Sequence, residues 1–543
     1  MSDAILSGVS GLLAHQTMLD VAGDNLANVN TYGYKASRVT FSELLAQTMR
    51  EATQPTANVG GTNPQQVGGG VKVASIDRNM SQGNMIATGQ PLDMAIEGNG
   101  YFGLNDGQRN VYTRVGAFAV DADFYLVDPG TGYRVQRIGS EGVTEGFQNP
   151  SSNDIRIPYD IALPAKATST VTFTGNLSAD SSASPTACLL TSGIQYTDGK
   201  AIAASDAKLV DLDQAKSVAA GDTIAITGTA RDGTAVSTVF TIAAASTLGD
   251  LATAITAAFS GSQASIANGE IRLTDTTSGY SQADMALAYS GSGTFELPKY
   301  FKVLQAGGEE TRNTNVEIYD SQGTGHVLSI AFVRSDQPNT WDAVLMSTSG
   351  DVQFTGRRVK GITFGADGSY AGISGGSKAM FTLKYGSGAT QDLSLNLGTS
   401  GAFDGLSQFG GSSTLSASGQ DGYQAGYLSS VSVGQDGVLS GMFTNGVRET
   451  IAALQLATFQ NAAGLQSAAG GFFTPSANSG DPVPTKAQSG GAGAVTGGSL
   501  EKSNVDMARE FVSLIEAQNG YQANARTIRT ANDMLSQLVT LMR

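Results

Sequence analysis

Few side chains in this sequence could carry chemistry, and their spacing argues against it. His15 and His326 are the only histidines, and neither has a cysteine or a second histidine near it, so neither fits a metal-ligand pattern. Cys188 is the single cysteine. It can form no intrachain disulfide and no metal cluster by itself, and it is expected as a small, half-buried apolar residue. Asp121 and Asp123 open like a calcium loop, but the rest of the ligand ladder and its glycine are missing. Gly98-Asn99-Gly100-Tyr101-Phe102-Gly103 is a literal G-x-G-x-x-G after a strand-like run. A dinucleotide site needs a helix to open there, so that its amides face the pyrophosphate. Leu104-Asn105-Asp106-Gly107-Gln108 is a turn instead, and the glycines are expected to serve tight turns between strands. No G-x-S-x-G or nucleophile–base spacing stands out. No catalytic residue, cofactor or metal is expected, and the function is expected to come from surfaces.

The elements that build those surfaces lie at the two ends. Near the C-terminus, Leu514, Tyr521, Ile528, Leu535 and Met542 recur every seven residues, and Phe511, Gln518, Ala525, Asn532 and Val539 recur on the neighbouring line. Two such lines make one helical seam of coiled-coil type. Gln518 and Asn532 are polar interruptions that can set register. Ser503 with Asp506 three residues on predicts a capping box and a helix from Ser503 to Arg543, on the order of 60 Å long. At the N-terminus Ile5, Leu12, Leu19 and Leu26 share the same period, with Val9 on the offset line and Leu6, Leu13 and Val21 widening the stripe. This predicts a second amphipathic helix from Asp3 to about Asn28, capped by Ser2 or Asp3 and weakened by Gly8, Gly11 and Gly23. A helix with one apolar stripe needs a partner, and each end is expected to find the other.

Between them the composition changes. The 543 residues suffice for three or four domains. Gly is abundant at 69 and aromatics make up only 7 %, which points to strands and turns. The net charge of −15 is thinly spread, which suits solubility and argues against nucleic acid. No basic segment precedes an apolar one at the start, so no classical signal peptide is expected. No run of 18 apolar residues predicts a membrane span. Taken alone these features predict a cytoplasmic protein.

The ends also carry a resemblance. Ala27-Asn28-Val29-Asn30-Thr31-Tyr32-Gly33-Tyr34-Lys35 resembles the A-N-x-x-T-x-G-Y-K box of the bacterial flagellar axial family, the rod, hook and hook-associated proteins. Ser503-Asn504-Val505-Asp506 and Ala517-Gln518-Asn519-Gly520-Tyr521-Gln522-Ala523-Asn524-Ala525 resemble the box that closes the same proteins. Gln82–Phe102, Tyr112–Phe118, Asp121–Val127 and Gly132–Gln136 resemble its next landmarks, except that Phe124 stands where the family usually has Gly. Ile318–Gly323, His326 and Asn339-Thr340-Trp341-Asp342 resemble the hook branch. The resemblance implies terminal helices lining a tubular homopolymer, here the curved hook that bends while transmitting torque. It implies rod and junction proteins, a hook cap and the export apparatus as partners. It also implies an extracellular flagellar location reached through type III export without a cleaved signal, which overrides the cytoplasmic expectation. Subunit packing is expected at Ile5, Leu12, Leu19, Leu26, Asn28, Thr31, Gly33, Tyr34, Lys35, Phe511, Leu514, Tyr521, Ile528, Leu535 and Val539. The rivals are the distal rod protein, which is shorter, the junction proteins, which lack this set of landmarks, and an unrelated binding module or enzyme.

The expected plan is a long terminal helix pair, coiled-coil-like, plus nested, mainly β shell domains and a small α+β outer insert. Residues 1–54 form the N-terminal helical segment, with Thr40–Gln54 continuing as a short helix, and 55–70 an extended connector. The first β shell domain comprises 71–138 and 405–469, and the second 139–186 and 299–404. Residues 187–298 form the outer insert, a hairpin turning at Asp232-Gly233 and a helix over Thr247–Phe259 with Thr247 and Asp250 as its capping box. Residues 470–498 are a Gly/Ser/Pro connector, and 499–543 the C-terminal helix.

Overall fold

A computed structural model of the chain describes residues 2–56, 59–180, 184–350, 352–374 and 379–541. They divide into two units, Met1–Leu163 with Gly426–Arg543, and Pro164–Ala425. The second is an insertion into the sequence of the first.

In the first unit helix α1 spans Ser2–Ala27 and a later helix, α3 below, spans Met507–Leu541. The cap expected at Ser2 or Asp3, and Met542, lie outside the described side chains. Strand Ser37–Glu43 follows α1 and pairs antiparallel with Val71–Arg78. Strand Gln47–Arg50 pairs with Gln65–Val67. The helix expected over Thr40–Gln54 is therefore two strands, and the expected 55–70 connector holds a strand of its own. Val39, Thr40, Phe41 and Thr48 are β-branched or aromatic, and a ladder partner outweighs the weak helical spacing of the leucines.

The two halves of this unit interleave. Tyr101–Asn105 pairs with Asn110–Thr113 from its own half and with Leu456–Thr458 from the returning half. Phe472–Thr474 pairs with Asn110–Thr113, Ala494–Gly497 with Met94–Glu97, and Ser499–Glu501 with Met85–Ala87. The stretch 470–498, expected as a connector, is thus laddered into the unit, with Phe472, Phe473 and Val495 buried. Its glycines and serines hide short apolar runs that become strands only beside a partner. Gly98 and Gly100 have φ of +104° and +124° and turn the chain from Met94–Glu97 into Tyr101–Asn105. They are turn glycines, as expected. Phe124 has φ +66°, the conformation glycine takes at no cost.

In the second unit, strands Thr311–Tyr319, Gly325–Arg334, Thr340–Thr348 and Arg358–Phe364 lie side by side in a large sheet. Strand alternation lets two of them serve two cores. Leu328, Ile330, Phe332, Trp341, Ala343 and Leu345 face one core with Phe173 and Phe381. Ala331, Val333, Val344 and Met346 face the other. That second core is filled from 187–298 by Ile224, Ile226, Leu248, Leu251, Ile255 and Phe259. Helix α2, Leu248–Ala258, starts at Thr247, whose side chain accepts from the Asp250 amide while Asp250 accepts from the Thr247 amide. Strands Thr223–Thr229 and Ala235–Thr241 form the hairpin around Gly233.

Candidate assembly surface

Helices α1 and α3 lie antiparallel against each other, and glycine sets how closely. A methyl group on Gly8 would come 2.9 Å from Ile528 Cγ1, and one on Gly11 2.7 Å from Asn524 Oδ1. A methyl group on Gly520 would sit 2.4 Å from the His15 ring. Ala14 and Ala22 on α1 and Ala517 and Ala531 on α3 are buried as well. Gly8 and Gly11, which weaken the helix intrinsically, are what permit the pairing.

The large apolar residues mostly point elsewhere. Leu514 and Ile528 are half-buried, as are Ile5, Leu12, Leu19 and Leu26. Phe511, Tyr521, Leu535 and Val539 are exposed. So are Leu6, Val9 and Leu13 on α1, and Val512, Ile515, Leu538 and, at 87 %, Leu541 on α3. The seven-residue lines are therefore divided: Ile528 lies against Gly8 in the intrachain seam, whereas Phe511, Tyr521, Leu535 and Val539 are left exposed. Within one chain that seam sets glycines against larger side chains, Gly8 against Ile528, Gly11 against Asn524 and Gly520 against His15, and both helices carry an exposed apolar face.

Below the helices, the box after α1 is tied to the box before α3. Gly33, at φ +66°, donates its amide to the Glu501 carbonyl, and a methyl group there would meet the Val115 amide at 2.9 Å. Lys35 Nζ lies 2.7 Å from Glu501 Oε1 and donates to the Ser81 carbonyl at 2.8 Å. The Gly83 amide donates to the same Glu501 oxygen, and Arg114 Nη1 lies 3.5 Å from the other. Both side chains of the Lys35–Glu501 pair are essentially inaccessible. Burial holds the Lys35 ammonium below its ordinary range, with Glu501 opposing. Asn504 accepts from the Ala36 amide and donates to the Asn79 and Ser81 carbonyls. Asn28 accepts from the Thr31 hydroxyl. The Tyr34 hydroxyl donates to Asp24 and Asn25, and burial and then that bond to Asp24 raise its pKa. Of the predicted residues, Gly33 and Lys35 tie the exit of α1 to the strand before α3 inside one chain, while Asn28, Thr31 and Tyr34 brace the end of α1 itself. The start of α3 is set by Asp506, whose carboxylate accepts from the Ala508 and Arg509 amides. Among the described residues Ser503 accepts only from Val505, so the expected capping box is one turn too early.

Glu501 and Arg114 were missed because neither belongs to a helical repeat, and no local signal marks a buried ion pair. The glycines of α1 and Gly520 were visible, but as helix breakers. The remaining chemistry-bearing residues stay apart. Burial pushes the Cys188 thiol up to about 12. His326 packs on the Tyr385 ring and contacts the Ser349 carbonyl. Among the described residues no group of three or more His, Cys, Asp or Glu could hold a metal ion, and no helix is long and apolar enough to cross a membrane.

Comparison with known proteins gives a consistent picture. Family models match at residues 5–35 (flagella basal body rod protein), 95–179 (flagellar hook protein FlgE/F/G D1 domain), 291–423 (flagellar basal body protein FlaE D2 domain) and 496–541 (flagellar basal body rod FlgEFG protein C-terminal). The chain is 31 % identical to the flagellar hook protein FlgE of Borreliella burgdorferi and 32 % identical to that of Treponema pallidum, each over 100 % of both chains. The Escherichia coli protein is 27 % identical over 99 % of this chain and 100 % of its own. Among solved structures, the Helicobacter pylori flagellar hook protein FlgE2 aligns over 76 % of this chain and 98 % of its own, at 19 % identity and a TM-score of 0.39.

Proposed function

This chain belongs to the flagellar hook protein FlgE family, and from that premise we propose how it builds the hook, the short curved tube that joins rod to filament and transmits torque. The family is structural, and its place is the flagellum. In this proposal the chain is a homopolymer subunit that works through packing. Helices α1 and α3 form the inner wall, supercoiled against neighbouring copies, with Phe511, Tyr521, Leu535 and Val539 packing between subunits. The outer parts of the chain, 187–298 outermost, form nested shell domains around it. Rod and junction proteins meet the two ends of the tube, a cap guides growth, and the subunit leaves through the type III export channel without a cleaved signal.

The observation that carries this proposal is the unpaired apolar face on both helices. Leu6, Val9, Leu13, Val512, Ile515 and Leu538 are exposed although each burial removes apolar area worth about 25 cal/mol per Å². The pairing of α1 with α3 leaves these residues uncovered within one chain, so a neighbouring copy is the fitting cover. Electron microscopy of assembled chains tests this. Curved tubes of a single repeating subunit are expected. Straight tubes would place the chain with the rod, and folded chains that never polymerise would overturn the proposal.

A further inference from the structure

The strands Thr223–Thr229, Ala235–Thr241 and Asp284–Ser290 form a sheet with Thr223–Thr229 in the middle. Both outer strands are free edges: among the described residues neither ladders to anything but the central strand. Natural proteins blunt such edges with charge, proline, bulges or a cover, because a row of unpaired amides and carbonyls templates another strand. Ala235–Thr241 carries no charge, proline or bulge. It is Ala-Val-Ser-Thr-Val-Phe-Thr, its register is unbroken over all seven residues, and Val239 is 62 % exposed. Asp284–Ser290 is also seven residues in unbroken register, and its one charge, Asp284, is held by Arg357 at 2.6 Å.

The two edges fit each other across copies. Each runs antiparallel to the central strand, so the two run in the same direction. A copy displaced with little rotation would lay its Asp284–Ser290 parallel to the first copy's Ala235–Thr241. Such a head-to-tail contact does not close on itself, and it extends as an open array. Pairing of Ala235–Thr241 with itself would instead need a two-fold axis, which a polar tube lacks. We propose that in the assembled polymer Ala235–Thr241 of one copy receives Asp284–Ser290 of a neighbouring copy as an added strand. This rests on the polymer proposal above.

Hydrogen exchange on the full chain, as dilute monomer and as assembled tubes, tests it. Edge amides in both strands should exchange at least about tenfold more slowly in tubes. Val239→Lys, and separately Ala286→Lys on the opposite edge, should still assemble through the helices but lose that protection. Tubes in which 235–241 exchanges as fast as in the monomer overturn the proposal. So does protection of 235–241 without 284–290. Absence of tubes from the unaltered chain would overturn the polymer reading itself.

Discussion

Lys35 and Glu501 are separated by 466 positions in sequence, and their Nζ and Oε1 atoms lie 2.7 Å apart. The pair joins the box after the first helix to the strand before the last, where Gly33 and Asn504 add backbone ties. A buried pair is weak evidence of net stability, but removing one partner strands the other charge. Lys35→Met should therefore cost about 3–5 kcal/mol. In denaturant unfolding the loss should fall on the unit containing the termini and leave the transition of Pro164–Ala425 in place.

Tyr34 is one contributor to the pH dependence at alkaline pH. Burial, and then its hydrogen bond to Asp24, raise its folded pKa above the unfolded value of 10.0. A raised folded value means that its stability contribution is whole below pH 10 and is lost as pH climbs through the folded value. Alkaline titration of stability should fall above pH 10, and Tyr34→Phe should flatten that fall. The variant should also lose about 1 kcal/mol at neutral pH with the hydroxyl's bonds. An unchanged alkaline slope would remove Tyr34 from the account.

Two glycine substitutions should move in opposite directions. Gly520→Ala would press a methyl group into the His15 ring and should cost about 1–3 kcal/mol of helix pairing. Gly23→Ala meets nothing within 4 Å in mid-helix and should add about 0.5–1 kcal/mol. Amide exchange along α3 for the first variant, and thermal melts followed by far-ultraviolet circular dichroism for both, would measure this. Equal effects would mean that close approach does not limit the pair.

Two positions on α3 separate folding from assembly. Ile515 is 54 % exposed, whereas Ile528 lies against Gly8 in the intrachain seam. Ile515→Asp should leave the monomer's helices intact and abolish tubes. Ile528→Asp should also part the helices in the monomer, because it puts a carboxylate against α1. Arg529→Ala, one position away and exposed, should assemble normally. Tubes of ordinary length from Ile515→Asp would show that this face stays in water.

The sequence by itself determined the two terminal helices, the β-rich middle, the capped helix at Thr247 and the two boxes that mark the family. Each is a local signal, a period or a short motif, and local signals survive without knowledge of the partner. Tertiary structure alone decided which face of each helix meets which neighbour. Large residues at seven-residue spacing announce a seam, but Gly8, Gly11 and Gly520 let the backbones approach closely, so Ile528 packs on Gly8 while Phe511, Tyr521, Leu535 and Val539 stay exposed. It also decided that 40–54 and 470–498 hold short strands. A strand's ladder is bonded to residues far away in sequence, so Phe472 finds its place only beside Thr113. The Lys35–Glu501 pair shares that cause. A buried charge is stable only where the fold supplies its partner, and the partner lay at the other end of the chain.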